Sequence, residues 1–331
     1  MRITEGTVRF DGCDRHFAEK FGAHQAAEMV LDFASTNTHP FLYDTYQLAA
    51  HLGLRRKALF ELVRRPGRHY RTLRIPKRSG GSRTLSVPDD RLKTVQRTVL
   101  HTILCHFPAS AYATAYQPGA TLRQNAAPHC GKKYLLKLDL EDFFGSIRFD
   151  QVYGAVFHTR RFPKQIGAML TALCCKDDAL PQGAPTSPQL SNLVLKWFDD
   201  TMGAWCQRRG IAYTRYCDDI TFSADRPLYD AYRKAVGLLE HQGFSINEEK
   251  TRFVTAAGRQ TVTGLTVNEK VGVPADFKRA LRQQVYYALK FGAEPPEYRR
   301  LLGKVQFVLQ TAPEHPWFCD AREELIRRLK G

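Results

Sequence analysis

Three carboxylates in this sequence are spaced to hold divalent cations. Two are adjacent, in Arg215-Tyr216-Cys217-Asp218-Asp219-Ile220-Thr221-Phe222, where apolar and polar residues alternate around the acidic pair. The alternation predicts strand, tight turn, strand. Such a turn sets two carboxylates at one edge of a sheet, where they repel each other unless a cation sits between them. The third is Asp139, which ends the run Lys133-Tyr134-Leu135-Leu136-Lys137-Leu138 and reads as the last residue of a buried strand. A strand-end aspartate beside a hairpin carrying two more is the layout of a two-metal phosphoryl-transfer site, with ions about 3.5–4 Å apart. The other Asp-Asp pairs lack that setting. Asp89-Asp90 reads as a helix start, Asp177-Asp178 as a loop, and Asp199-Asp200 as part of a helix with one member facing solvent.

The acidic hairpin resembles the Tyr-x-Asp-Asp hairpin of reverse transcriptases. Leu138-Asp139-Leu140-Glu141-Asp142-Phe143-Phe144 resembles their first palm motif, and Leu180-Pro181-Gln182-Gly183-Ala184-Pro185-Thr186-Ser187-Pro188 their Pro-Gln-Gly motif. The three stand in the family's order. The resemblance implies an α+β right-hand polymerase fold of fingers, palm and thumb. It implies RNA-directed DNA synthesis from dNTPs on two Mg²⁺ ions held by Asp139, Asp218 and Asp219. It also implies that Gln182 contacts nucleotide and template, and that Phe144 lies under the sugar ring. Core packing is the plain alternative for both phenylalanines, and for Phe143 it is the reading adopted. Lys250, seven residues after Gly243, matches the lysine proposed to protonate leaving pyrophosphate, and a mobile loop lysine suits general-acid work; a solvated surface lysine is the alternative.

Two short strings narrow the resemblance to retron reverse transcriptases. One is Asn125-Ala126-Ala127-Pro128-His129, upstream of Asp139; the other is Val262-Thr263-Gly264. For Asn125 and His129 the residues leave two roles open, hydrogen bonding within the fold or to RNA. The retron resemblance implies a dedicated structured noncoding RNA as template and primer, primed from a 2′-hydroxyl of an internal guanosine. The product is a branched RNA–DNA hybrid (msDNA), with host RNase H trimming the template and a separate effector protein acting in antiphage defence. Alternatives are another bacterial reverse transcriptase, group II intron-like or diversity-generating, and an RNA-binding relative that has lost catalysis. Cys217 is a departure, since many retron enzymes carry alanine there.

The surrounding elements must position these groups. Residues 1–68 read as a helical extension. Tyr46 to Leu54 resembles half a helix-turn-helix with Gly53 at the turn, while Leu48, Leu52, Leu54, Leu59 and Leu62 more simply give a helical hairpin its core. Residues 69–265 read as fingers and palm. Arg71 to Val87 alternates on both sides of Gly80-Gly81 and predicts a basic β-hairpin. Its Pro-Lys-x-x-Gly-Gly-x-Arg string resembles the fingers hairpin of bacterial reverse transcriptases, which implies that Lys77 and Arg83 face triphosphate or template. Leu92–Phe107, Leu190–Cys206 and Leu228–Gln242 carry helical periodicity, the last ended by Gly243. Val262–Val273 reads as a short hairpin, and residues 266–331 as a basic helical thumb with Tyr286 and Tyr287 interleaved.

Composition agrees with a polyanion partner. The chain has 331 residues, 43% of them hydrophobic, and a formal net charge of +16. That excess favours nucleic acid through counterion release. Its eight cysteines show no Cys-x-x-Cys spacing, which argues against a zinc site. With no signal peptide or long apolar run in view, free thiols in a bacterial cytoplasm and no membrane association are expected. No room for an RNase H, endonuclease or integrase domain is expected after Gly331.

Overall fold

A computed structural model describes residues 2–4, 7–9, 14–76 and 81–330, without the side chains of 2–4, 7 and 9. The chain divides into two compact units, Met1–Ala111 with Glu141–Phe198, and Tyr112–Leu140 with Asp199–Gly331.

In the first unit, β1 (Arg2–Thr4) pairs antiparallel with β2 (Thr7–Arg9), a strand pair that the helical reading of residues 1–68 did not include. Helices Arg15–Phe21 and Ala23–Thr36 follow, packed through Phe17, Ala26 and Val30 against Phe41 and Tyr43. Helices Thr45–His51 and Arg56–Arg64 form the expected small hairpin. Asp44 caps the first by accepting from the Tyr46 and Gln47 N–H groups. Leu48, Leu52, Leu59 and Leu62 are buried, each worth about 1.5–3 kcal/mol, whereas Arg55, Arg56 and Lys57 are exposed.

Strands β3 (Tyr70–Pro76) and β4 (Ser82–Pro88) pair in register from Tyr70↔Pro88 to Pro76↔Ser82. Asp89 caps the next helix, Asp90–Thr102, by accepting from the Leu92 N–H at 2.8 Å. The helix predicted over Leu190–Cys206 is two, Ser187–Val194 and Lys196–Gln207, interrupted at Leu195. Apolar residues run on through the break (Leu193, Val194, Leu195 and Phe198 are all buried), so periodicity gave no sign of it.

The second unit is built on a four-stranded antiparallel sheet, order β6-β7-β5-β8, from β5 (Tyr134–Asp139), β6 (Ala212–Tyr216), β7 (Asp219–Ala224) and β8 (Arg252–Thr255). The outer edge of β6 is not bare. The Arg215 N–H donates to the Tyr112 carbonyl at 2.8 Å, and the Thr114 N–H to the Arg215 carbonyl at 2.8 Å. Helix Tyr229–His241 ends where Gly243 takes φ 79°, as expected. A two-strand hairpin, β9 (Thr261–Val262) with β10 (Leu265–Thr266), leads to helices Ala275–Phe291, Pro295–Leu309 and Pro316–Lys330. Val262, Leu265, Leu281, Val285, Leu301, Val305 and Phe318 share one buried core with Ala126 and Leu135 of the sheet side.

Candidate active site

Strand register brings the carboxylates together. Asp139 and Asp219 are direct cross-strand partners at the end of β5 and the start of β7. Because side chains alternate across a strand, both project from one face of the sheet. Tyr216 pairs with Asp219, so Cys217 and Asp218 are the two residues of the turn. Cys217 takes φ 62°, the left-handed region that two-residue hairpin turns usually give to glycine. The Asp218 carbonyl accepts from the Leu140 N–H at 3.2 Å, and the Asp139 carbonyl from the Asn247 N–H at 2.7 Å. Backbone bonds thus tie the turn to the end of β5 and to the loop that carries Lys250.

Charge at this edge is unbalanced. Burial pushes the Asp219 carboxyl above its ordinary range, and the neighbouring Asp218 and Asp139 charges push it further. The charges of Lys137 and, after it, Lys250 pull the other way. Lys250 also bonds to one of the carboxylates directly. It closes a short 3₁₀ turn, Glu248–Lys250, capped by Asn247, and its Nζ donates to Asp139 Oδ2 at 2.7 Å. That hydrogen bond raises the Lys250 pKa. Among the described residues no three potential ligands converge closely enough to hold a metal as they stand. The donors are nonetheless hard carboxylate oxygens at one edge, and a cation, the Lys250 ammonium, already sits against one of them. The site fits Mg²⁺.

Of the remaining predicted residues, Lys77 lies outside the described residues. Arg83 is exposed on β4 opposite Ile75. Gln182 is half-buried, and its carbonyl accepts from the Ser86 N–H of β4 at 2.8 Å. The Pro-Gln-Gly loop therefore rests on the basic hairpin through main chain. Gly183 is at φ 124°, where a Cβ would come within 2.9 Å of the Ser86 carbonyl oxygen, so only glycine fits. Phe143 is buried and Phe144 half-buried, their rings 5.1 Å apart.

Asn125 and His129 are both buried and bonded inside the fold. His129 bridges the two strands of the acidic hairpin, with Nδ1 2.7 Å from Ser223 Oγ and Nε2 2.8 Å from Thr214 Oγ1. Burial lowers its pKa to about 3, which keeps the ring neutral. Asn125 accepts from Thr114 Oγ1 at 2.7 Å and donates to Thr263 Oγ1 at 3.3 Å. The two signature strings are thus hydrogen-bonded to each other, although 138 residues separate the partners. Val262 is buried in the shared core, and Thr263 and Gly264 form the β9–β10 turn at φ 45° and 83°.

Sequence reading missed one group beside the turn. Asp199, placed only as a member of a helical Asp-Asp pair, is fully buried against Arg215 with Nη2–Oδ2 at 2.6 Å; Asp200 is the exposed member. The available signal was its place on the apolar side of its helix, in line with Leu195, Met202 and Cys206, all buried.

The reverse transcriptase (RNA-dependent DNA polymerase) family model matches residues 75–285. The chain is accordingly an RNA-directed DNA polymerase of right-hand fold. It is 34% identical to the retron Mx65 reverse transcriptase of Myxococcus xanthus, over 99% of this chain and 84% of that protein. It is 33% identical to the retron Ec86 reverse transcriptase of Escherichia coli, over 69% of this chain and 72% of that protein. A solved telomerase of Candida albicans, in complex with a TWJ fragment of telomeric RNA, is 12% identical with a TM-score of 0.46, covering 77% of this chain and 54% of that one. The chain belongs to the retron reverse transcriptases.

Proposed function

We propose that this polymerase copies a dedicated structured noncoding RNA, which is both template and primer, into a branched RNA–DNA hybrid. The observation that carries the reading is the Asp139↔Asp219 pair with Asp218 in the adjoining turn, in a chain of retron kinship. The charge of +16 supports a nucleic-acid partner. In this reading residues 1–68 are an extension, 69–265 fingers and palm, and 266–331 the thumb. Host RNase H trims the template, and a separate effector protein joins the product in antiphage defence. The bacterial cytoplasm is the proposed compartment; no described helix is long and apolar enough to cross a membrane.

Asp139, Asp218 and Asp219 are the proposed ligands of two Mg²⁺ ions. When bound, these supply a more acidic primer hydroxyl and offset the charge of the triphosphate. Lys250 Nζ is the proposed proton donor to leaving pyrophosphate, which requires that its bond to Asp139 loosen first. Lys77 and Arg83 are assigned to triphosphate or template, Gln182 to the nucleotide, and Phe144 to exclusion of a 2′-hydroxyl by a rigid ring.

The test is Asp218→Asn. Primer extension on an RNA template is expected to vanish while RNA binding stays near wild type, because only a negative charge is removed. Extension at near wild-type rate would refute the metal assignment. The product is tested on protein purified from its own host: extracted nucleic acid, treated with RNase and a debranching enzyme, should resolve as a branched RNA–DNA molecule. Random cellular RNA alone would refute the retron product.

A further inference from the structure

We propose that Arg215 is a positioning residue for the acidic turn, anchored by Asp199 and acting through the carbonyl of Cys217. The inference rests on the reading of Asp218 and Asp219 as metal ligands.

Arg215 is the largest fully buried side chain among the described residues. Its Nε donates to Asp199 Oδ1 at 2.9 Å and its Nη2 to Asp199 Oδ2 at 2.6 Å, the two-pronged geometry that only a guanidinium offers a carboxylate. Tyr213 donates its hydroxyl to the same Asp199 Oδ1 at 2.6 Å. Burial opposes the charge on Arg215, but Asp199 more than offsets this and raises its pKa, so the guanidinium stays charged. Pairs of this kind seldom return their desolvation cost, and apolar residues of like volume often serve stability as well. Stability alone is thus a weak account of the pair.

The remaining arm supplies a better one. Arg215 Nη1 donates to the Cys217 carbonyl at 2.9 Å, inside the turn. Cys217 is a non-glycine residue held at φ 62°, a conformation that persists only where its surroundings enforce it. Three contacts do so. Arg215 holds its carbonyl, Tyr116 Oη lies 2.9 Å from its Sγ, and the Leu140 N–H holds the next carbonyl, that of Asp218. Asp218 is thereby fixed on both sides by its peptide groups. Only the Arg215 arm reaches the turn from the buried ion pair, and a lysine could not fork to Asp199 and reach Cys217 as well.

The test separates positioning from stability. In the full-length chain, Tyr213→Phe, Asp199→Leu and Arg215→Met are combined, which removes the ion pair without leaving a charge or a hydroxyl stranded. Thermal melting, Mn²⁺ affinity by EPR of the free ion, and single-nucleotide kinetics are measured beside wild type and Asp218→Asn. The expected variant melts at or near the wild-type temperature, binds Mn²⁺ at least about fivefold more weakly, and loses on the order of tenfold in kcat with KM for dNTP little changed. Arg215→Lys, which keeps the charge, should show the same split. A variant that melts, binds Mn²⁺ and turns over like wild type would overturn the inference. If instead Asp218→Asn binds Mn²⁺ as tightly as wild type, the metal reading is the one that fails.

Discussion

On the face of β6 and β7 that carries Asp219, the buried polar groups are neutral. His129, Thr214, Ser223 and Asn125 share hydrogen bonds among uncharged rings, hydroxyls and an amide. On the opposite face they are ions: Asp199 and Arg215, with Tyr213 on the same carboxylate. Both sets brace the same hairpin, yet they should break differently. A neutral network loses one bond at a time, about 1 kcal/mol each, plus the cost of any group left stranded. An ion pair broken from one side leaves a whole charge in a dry interior.

The sharpest way to test that contrast is Asp199→Ala. It strands the Arg215 guanidinium and should cost about 3–5 kcal/mol of unfolding free energy by urea titration. His129→Leu should cost less, about 1–3 kcal/mol, for the hydroxyls of Thr214 and Ser223 left without their ring partner. If the two substitutions cost the same, the hairpin does not distinguish charged from neutral bracing.

Acid should discriminate between the faces as well. His129 has a folded pKa of about 3, against about 6.5 for an unfolded chain. The unfolded state therefore takes up the proton first. The contribution is fully present above pH 6.5 and is lost as pH falls from there towards 3, at up to about 1.4 kcal/mol per pH unit. Arg215 stays charged over that range. Urea midpoints of wild type and His129→Gln at pH 7, 6 and 5 should converge as pH falls, since the variant lacks the titrating ring. A constant gap would mean that His129 is not held neutral.

What could be read in the sequence was local. Alternation around Asp218-Asp219, the acid ending the Tyr134–Asp139 strand, the alternation along the basic hairpin and the Asp89 cap each declare themselves within a few residues. The partners of Arg215, Asn125 and His129 do not. Their bonds span 16 residues to Asp199, 138 to Thr263 and 94 to Ser223, and a buried polar residue carries no mark of which distant group satisfies it. The same limit hid the interruption at Leu195, where apolar residues continue on both sides, and the β1–β2 pair of three-residue strands.

The smallest expected effect lies at Thr263, the outermost member of the neutral network. It sits at φ 45° and is followed by Gly264 at 83°, two left-handed residues in succession between β9 and β10. That is the turn for which Asn-Gly is the favoured pair, and a β-branched threonine is poorly suited to its first position. The hydroxyl offers the offsetting gain, because Oγ1 accepts from Asn125 Nδ2 at 3.3 Å, a long bond worth no more than about 1 kcal/mol. Thr263→Asn relieves the backbone and keeps an acceptor at the turn, so the two changes should nearly cancel. The expected shift in unfolding free energy is within about 0.5 kcal/mol of wild type. Thr263→Val keeps the strain and loses the acceptor, and should fall below both. If Thr263→Val were instead as stable as wild type, the Asn125 bond would contribute nothing, and the link between the two signature strings would rest on the Ala126–Val262 core alone.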